Sequence, residues 1–123
     1  VIFSYTRKRA IVDGVLVELT EWARETGFTI PVACTAAVWH QYITPPEGTK
    51  ELGQSERGRA HDVLWMLYMA IRRQKGASDQ LLYKVIFLQA PGRQETIQLK
   101  AICGPGDPPQ CEPVLTLMLP HED

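Results

Sequence analysis

Between residues 56 and 75 the chain reads ERGRAHDVLWMLYMAIRRQK, and its apolar positions recur at helical spacing. Ala60, Val63, Leu64, Leu67 and Ile71 form one stripe. Ser55 stands where a cap would start this helix and Gly76 where a left-handed residue would end it. Trp65, Met66 and Met69 lie on the opposite side, which predicts a helix covered on two sides. Arg72, Arg73 and Lys75 fall in the last turn, where cations suit the helix dipole. Beyond Gly76 the period changes to two. QLLYKVIFLQ (80–89), ETIQLKAIC (95–103) and PVLTLMLP (113–120) are β-rich runs separated by turn residues. In the middle run Ile97, Leu99, Ala101 and Cys103 share one face, and Thr96, Gln98 and Lys100 share the other.

Upstream the elements are shorter. VIFSY (1–5) reads as a short strand or apolar anchor. Thr6 can cap RKRAIVDG, with Gly14 as its stop. VLVEL (15–19) is too brief for periodicity to decide. Thr20 can cap EWARETG, which ends at Gly27. TIPVACTAAVWHQYI (29–43) is expected as a helix, starting at Thr29 with Pro31 in its first turn or at Thr35. TPPEGTKELGQS (44–55) is polar and rich in breakers, and is expected to be the mobile loop. The expected architecture is a single α+β domain over 1–123. It has a helical N-terminal half, and one long central helix packs on a C-terminal three-stranded antiparallel meander.

Composition narrows the function classes. The 45% hydrophobic content supports an ordinary core in a chain of 123 residues. Thirteen basic and fourteen acidic side chains leave a net charge of −1, against both a dedicated nucleic-acid binder and a nucleic-acid mimic. No apolar run approaches the ~20 residues of a membrane span. Three cysteines cannot complete a disulfide framework, so the expected compartment is the cytoplasm.

Several constellations suggest chemistry. His40, then His61-Asp62, then Asp79 imitate the H…HD…D order of metal-dependent phosphohydrolases. Neutral imidazoles and carboxylates there hold divalent ions that activate water. In that reading His61 and Asp62 are the catalytic candidates, and His40, His61, Asp62 and Asp79 the metal candidates. Those enzymes are all-helical, whereas this chain turns to β after residue 79, and adjacent helical residues point about 100° apart. Cys103 and Cys111 bracket GPGDPPQ, a spacing too wide for a zinc knuckle. Strand parity instead turns both thiols inward as small core residues and leaves Asp107 exposed for a contact. No nucleophile elbow, phosphate cradle or other cofactor motif is read. Residues 20–43 have helix-turn-helix spacing through Ala23 and Gly27. The would-be recognition helix offers only His40 and Gln41, with no Arg or Lys. Arg7, Lys8, Arg9, Arg72, Arg73, Lys75 and Asp107 remain as candidate contacts to an unknown protein partner.

The stretches IFSYTRKRAIVDGVLVELTEWARETGFTIPVACTAAVW, GRAHDVLWMLYMAIRR, CGPGD and EPVLTLMLP resemble a family of small proteins of unknown function. Its members are encoded on bacterial plasmids and on integrative and phage-like elements, often near anti-restriction genes. The resemblance implies a cytoplasmic accessory protein of a mobile element and assigns no catalytic residue. It would make the chain a non-enzymatic protein binder, with counter-defence against restriction or CRISPR systems as a candidate role. A DNA-binding regulator through 20–43 and a metal-dependent hydrolase are the alternatives. Family members do not share a cysteine at Cys111, which argues against a common metal or disulfide role for it.

Overall fold

Residues 5–76 and 78–122 are described by the structure, a computed structural model. The long helix, α4 (Glu56–Arg73), starts where expected: Ser55 is extended and its Oγ accepts the Gly58 N–H at 3.0 Å. Ala60, Val63, Leu64 and Leu67 are fully buried, but Ile71 is exposed. Ahead of it come α1 (Arg7–Val12), β1 (Leu16–Glu18), α2 (Thr20–Thr26), β2 (Val32–Thr35) and α3 (Ala36–Val38). The last of these continues as a wider π-helical turn through Trp39–Ile43. Thr6 caps α1 through the Arg9 N–H. After α4 the chain forms β3 (Gln80–Ala90), β4 (Arg93–Pro105) and β5 (Pro113–Met118).

The expected three-stranded antiparallel meander is corrected to a five-stranded mixed sheet in the order β1-β2-β5-β4-β3. β3/β4, β4/β5 and β1/β2 are antiparallel, while β2 runs parallel to β5, with Val32 opposite Leu115 and Cys34 opposite Leu117. The expected helix over 29–43 is thereby also corrected. Its first part is a central strand, and only the start at Thr35 holds, where the Thr35 Oγ1 accepts the Val38 N–H. Val32, Ala33 and Cys34 are all fully buried. A strand covered on both faces shows no alternation, so its apolar run cannot be told from a buried helix. Thr20 also differs from expectation. It lies inside α2, and its Oγ1 accepts the Val32 N–H, tying that helix to β2.

One sheet face packs on α4 and α2 around Val85, Phe87, Leu99 and Leu117. α1 lies against β1, and its Arg7 reaches across to β5, donating to Thr116 Oγ1 and the Leu115 carbonyl. The 44–55 segment carries local structure of its own. Thr49 is buried, its Oγ1 donates to the Pro46 carbonyl, and Lys50–Leu52 form a 3-10 turn. Arg59, 1% exposed, ties the end of this segment at Gln54 to its neighbours on either side. Its guanidinium donates to the Tyr42 and Leu88 carbonyls and to Gln54 Oε1 and Gln89 Oε1, and it lies 4.4 Å from the Phe87 ring centre. Burial lowers the pKa of this guanidinium.

Burial pushes the Cys34 thiol up from 9.0 to about 12. It raises the Tyr83 phenol from 10.0 as well, where the hydroxyl donates to the Val63 carbonyl. The unfolded chain therefore releases these protons at lower pH than the folded chain. Stability should be level up to pH 9.0 and fall above it, first through Cys34 and then, above 10.0, through Tyr83. Each group contributes a slope of up to ~1.4 kcal/mol per pH unit. Urea titrations at about pH 8 and about pH 10 should show this loss, and Cys34→Ala should flatten the curve between them.

Candidate protein-binding surface

A flank of α4, beside its buried stripe, carries His61, Trp65, Tyr68 and Arg72, spaced four, three and four residues apart. That spacing places them in one row along a helix. His61 stacks on Trp65 with ring centres 6.4 Å apart, and Trp65 on Tyr68 at 5.9 Å. The Arg72 guanidinium lies 5.7 Å from the Tyr68 ring centre. From below, Phe28 meets Tyr68 edge-on at 5.7 Å. Gly27 makes this approach possible, since a Cβ there would stand 3.2 Å from the Tyr68 ring. Of the three residues expected to be covered on the helix's second side, Met66 and Met69 are half-buried, whereas Trp65 remains 44% exposed.

At its Arg72 end the row opens into a cavity of about 360 Å³ between α2, the end of α4 and the β3/β4 strands. Phe28, Leu67, Leu81, Ala101 and Leu115 give it an apolar floor, together with the half-buried Cys103. Ile71, Arg72, Ser78 and Asp79 stand at its rim. An apolar floor under a charged rim can take an aliphatic or aromatic side chain while pairing the polar groups beside it. At the other end of the row Arg57 pairs with Glu25.

The structure distributes the expected site residues unevenly. His61, Asp62, Arg72 and Asp79 border this one surface, His61 and Asp62 at one end and Arg72 and Asp79 at the other. His61 Nδ1 lies 3.9 Å from Asp62 Oδ1, and both side chains are exposed. His40 is exposed on the π-helical turn, and Asp79 lines a different cleft from His61. Among the described residues no three His, Cys, Asp or Glu side chains converge as a metal site. Arg73 and Lys75 are exposed near the cavity end of α4. Arg7 is half-buried, and burial lowers its pKa. Lys8 is exposed, and Arg9 pairs with Asp13 at 3.3 Å.

Asp107 turns inward: its carboxylate accepts the Arg7 and Lys8 N–H groups at 2.6 and 3.0 Å, capping α1 from the far end of the sequence. Residues 20–43 fold as helix, strand and helix, with β2 where a recognition helix would begin. Cys111 is likewise corrected. It sits in the loop before β5, exposed and at φ 51°, and does not face inward with Cys103. Trp65, Tyr68 and Ile71 are the residues of this surface that sequence reasoning missed. Their spacing with His61 and Arg72 was the available signal.

A model described as "Family of unknown function (DUF6573)" matches residues 1–123. The chain belongs to that family. No curated protein and no solved structure matched it. Membership brings no residue roles, so the surface has to be read from its own chemistry. No helix among the described residues is long and apolar enough to cross a membrane.

The three free thiols differ enough in exposure to be told apart. Iodoacetamide on the native protein should modify Cys111 first, Cys103 more slowly at the cavity, and Cys34 only after unfolding. Peptide mass mapping over time reads the order, and early labelling of Cys34 would contradict its placement in β2.

Proposed function

We propose that the chain is a non-enzymatic, cytoplasmic accessory protein of a bacterial mobile element, and that it works by binding another protein through the α4 surface. The observation that carries this reading is the His61–Trp65–Tyr68–Arg72 row, exposed at His61, Trp65 and Arg72 and half-buried at Tyr68, running into an apolar cavity. Trp, Tyr and Arg are the residue types that dominate binding energy at interfaces. Here they are already stacked, so little side-chain freedom remains to be lost on association. A net charge of −1 favours a protein over a nucleic acid as the partner. The resemblance to proteins encoded near anti-restriction genes makes a restriction or CRISPR component the first partner to test.

The experiment is retention of host proteins on the immobilised chain, compared with Trp65→Ala and Ile71→Glu. Both residues are exposed, so the variants should stay folded. The wild type should hold a specific protein that each variant holds at least about tenfold more weakly. Retention of nothing specific, or of the same proteins by all three, would remove the reading.

A further inference from the structure

The two edges of the sheet are unlike. β1 is three residues long and lies against α1, with the Val15 N–H donating to the Ala10 carbonyl. β3, at the other edge, runs eleven residues without a proline and with one charge, Lys84. The Cys103 N–H donates to the Asp79 carbonyl, which sets the phase of the β3/β4 ladder. Odd-numbered residues bond to β4, so the amide groups of Leu82, Lys84, Ile86 and Leu88 point away from the sheet. Leu82 and Ile86 are 54% and 60% exposed. On the helical side, half-buried Met66 and Ala70 border a groove of about 430 Å³ along the same edge. Monomeric proteins shorten, charge, bulge or cover such edges. β3 carries its only irregularity near its end, between Leu88 and Ala90.

We infer that β3 pairs antiparallel with β3 of a second copy, across a two-fold axis at Val85. A second copy suits the strand because two of the positions flanking that residue match in kind, Tyr83 with Phe87 and Leu82 with Leu88, so apolar side chains meet apolar ones there. Lys84 then meets Ile86, Tyr83 meets Phe87, and Leu82 meets Leu88. Centring on Lys84 would set two like charges directly opposite each other. Centring on Ile86 would run the pairing into the irregularity after Leu88. The Val85 register avoids both, and it is isologous, as a closed dimer requires. The pairing from Leu82 to Leu88 spans roughly 23 Å. It would join two sheets into one and bring the Met66–Ala70 strips of the two α4 helices together across the axis.

Sedimentation equilibrium of the full chain, from micromolar to sub-millimolar concentration, tests this. The wild type should sediment at twice the mass of one chain. Ile86→Lys sets a cation opposite Lys84 of the other copy and should give a monomer with unchanged far-ultraviolet dichroism. Adding Lys84→Glu turns each of those contacts into an opposite-charge pair and should restore the dimer. Lys84→Pro, which removes one outward N–H at an edge where proline is tolerated, should also give a folded monomer. A monomeric wild type overturns the inference, as does a dimer that survives Ile86→Lys. Failure of Lys84→Glu to restore pairing overturns it too, and so does an edge that pairs only with a foreign strand.

Discussion

Replacing Arg59 by alanine is expected to destabilise the fold by about 3–5 kcal/mol, which in a domain of this size lowers the melting temperature by roughly 10–20 °C. Among the described residues the buried guanidinium donates to neutral acceptors alone: the Tyr42 and Leu88 carbonyls and the Gln54 and Gln89 side chains. Its donors link the turn after α3, the 44–55 segment and the end of β3 to the first turns of α4. Truncation leaves those oxygens facing a void and removes the stack on Phe87. Lysine keeps the charge but cannot reach all four acceptors, so Arg59→Lys should recover only part of the loss. Urea unfolding measures both. A midpoint for Arg59→Ala equivalent to less than about 1 kcal/mol of loss would show that water replaces the guanidinium without penalty.

Gly106→Ala should cost about 2–3 kcal/mol, whereas Gly104→Ala two residues earlier should change stability by less than about 0.5 kcal/mol. A Cβ on Gly106 would lie 2.7 Å from the Glu112 carbonyl oxygen and 3.1 Å from Val114 Cγ1, while one on Gly104 meets nothing within 4 Å. The Gly106 N–H donates to that same Glu112 carbonyl at 2.7 Å, closing the neck of the loop. Backbone has to move to admit the methyl group, and Asp107, next in the chain, moves with it. Its cap on α1 is then strained, so Gly106→Ala and Asp107→Ala should cost less together than the sum of the two alone. Equal effects at the two glycines in urea unfolding would contradict the pinched geometry.

α4, β3, β4 and β5 were legible to within three residues at each end, because each carries enough apolar positions to show its own period. The caps at Thr6 and Ser55 were legible for the same local reason. β1 and β2 were not. β1 has three residues, and β2 is buried on both faces, so neither offers a pattern to count. Reading β2 as helix removed the strand that joins the N-terminal half to the C-terminal one, and with it the parallel pairing to β5. The candidate surface was half legible. Arg72 and His61 stood out as charged or titratable, but Trp65 and Tyr68 lay in an apolar run whose two sides the spacing alone could not rank.

By itself, then, the chain determined its longer elements, its near-neutral charge and the row His61–Trp65–Tyr68–Arg72 as neighbours on one helix, all consequences of interactions within a few residues. Tertiary structure decided which side of α4 meets the sheet and which meets solvent. It also decided that Arg59 is interior, that β2 lies beside β5, and that Asp107 caps a helix one hundred residues earlier in the chain. The physical reason is common to all of them: each depends on burial or pairing between distant segments, and no local period records which segment will arrive.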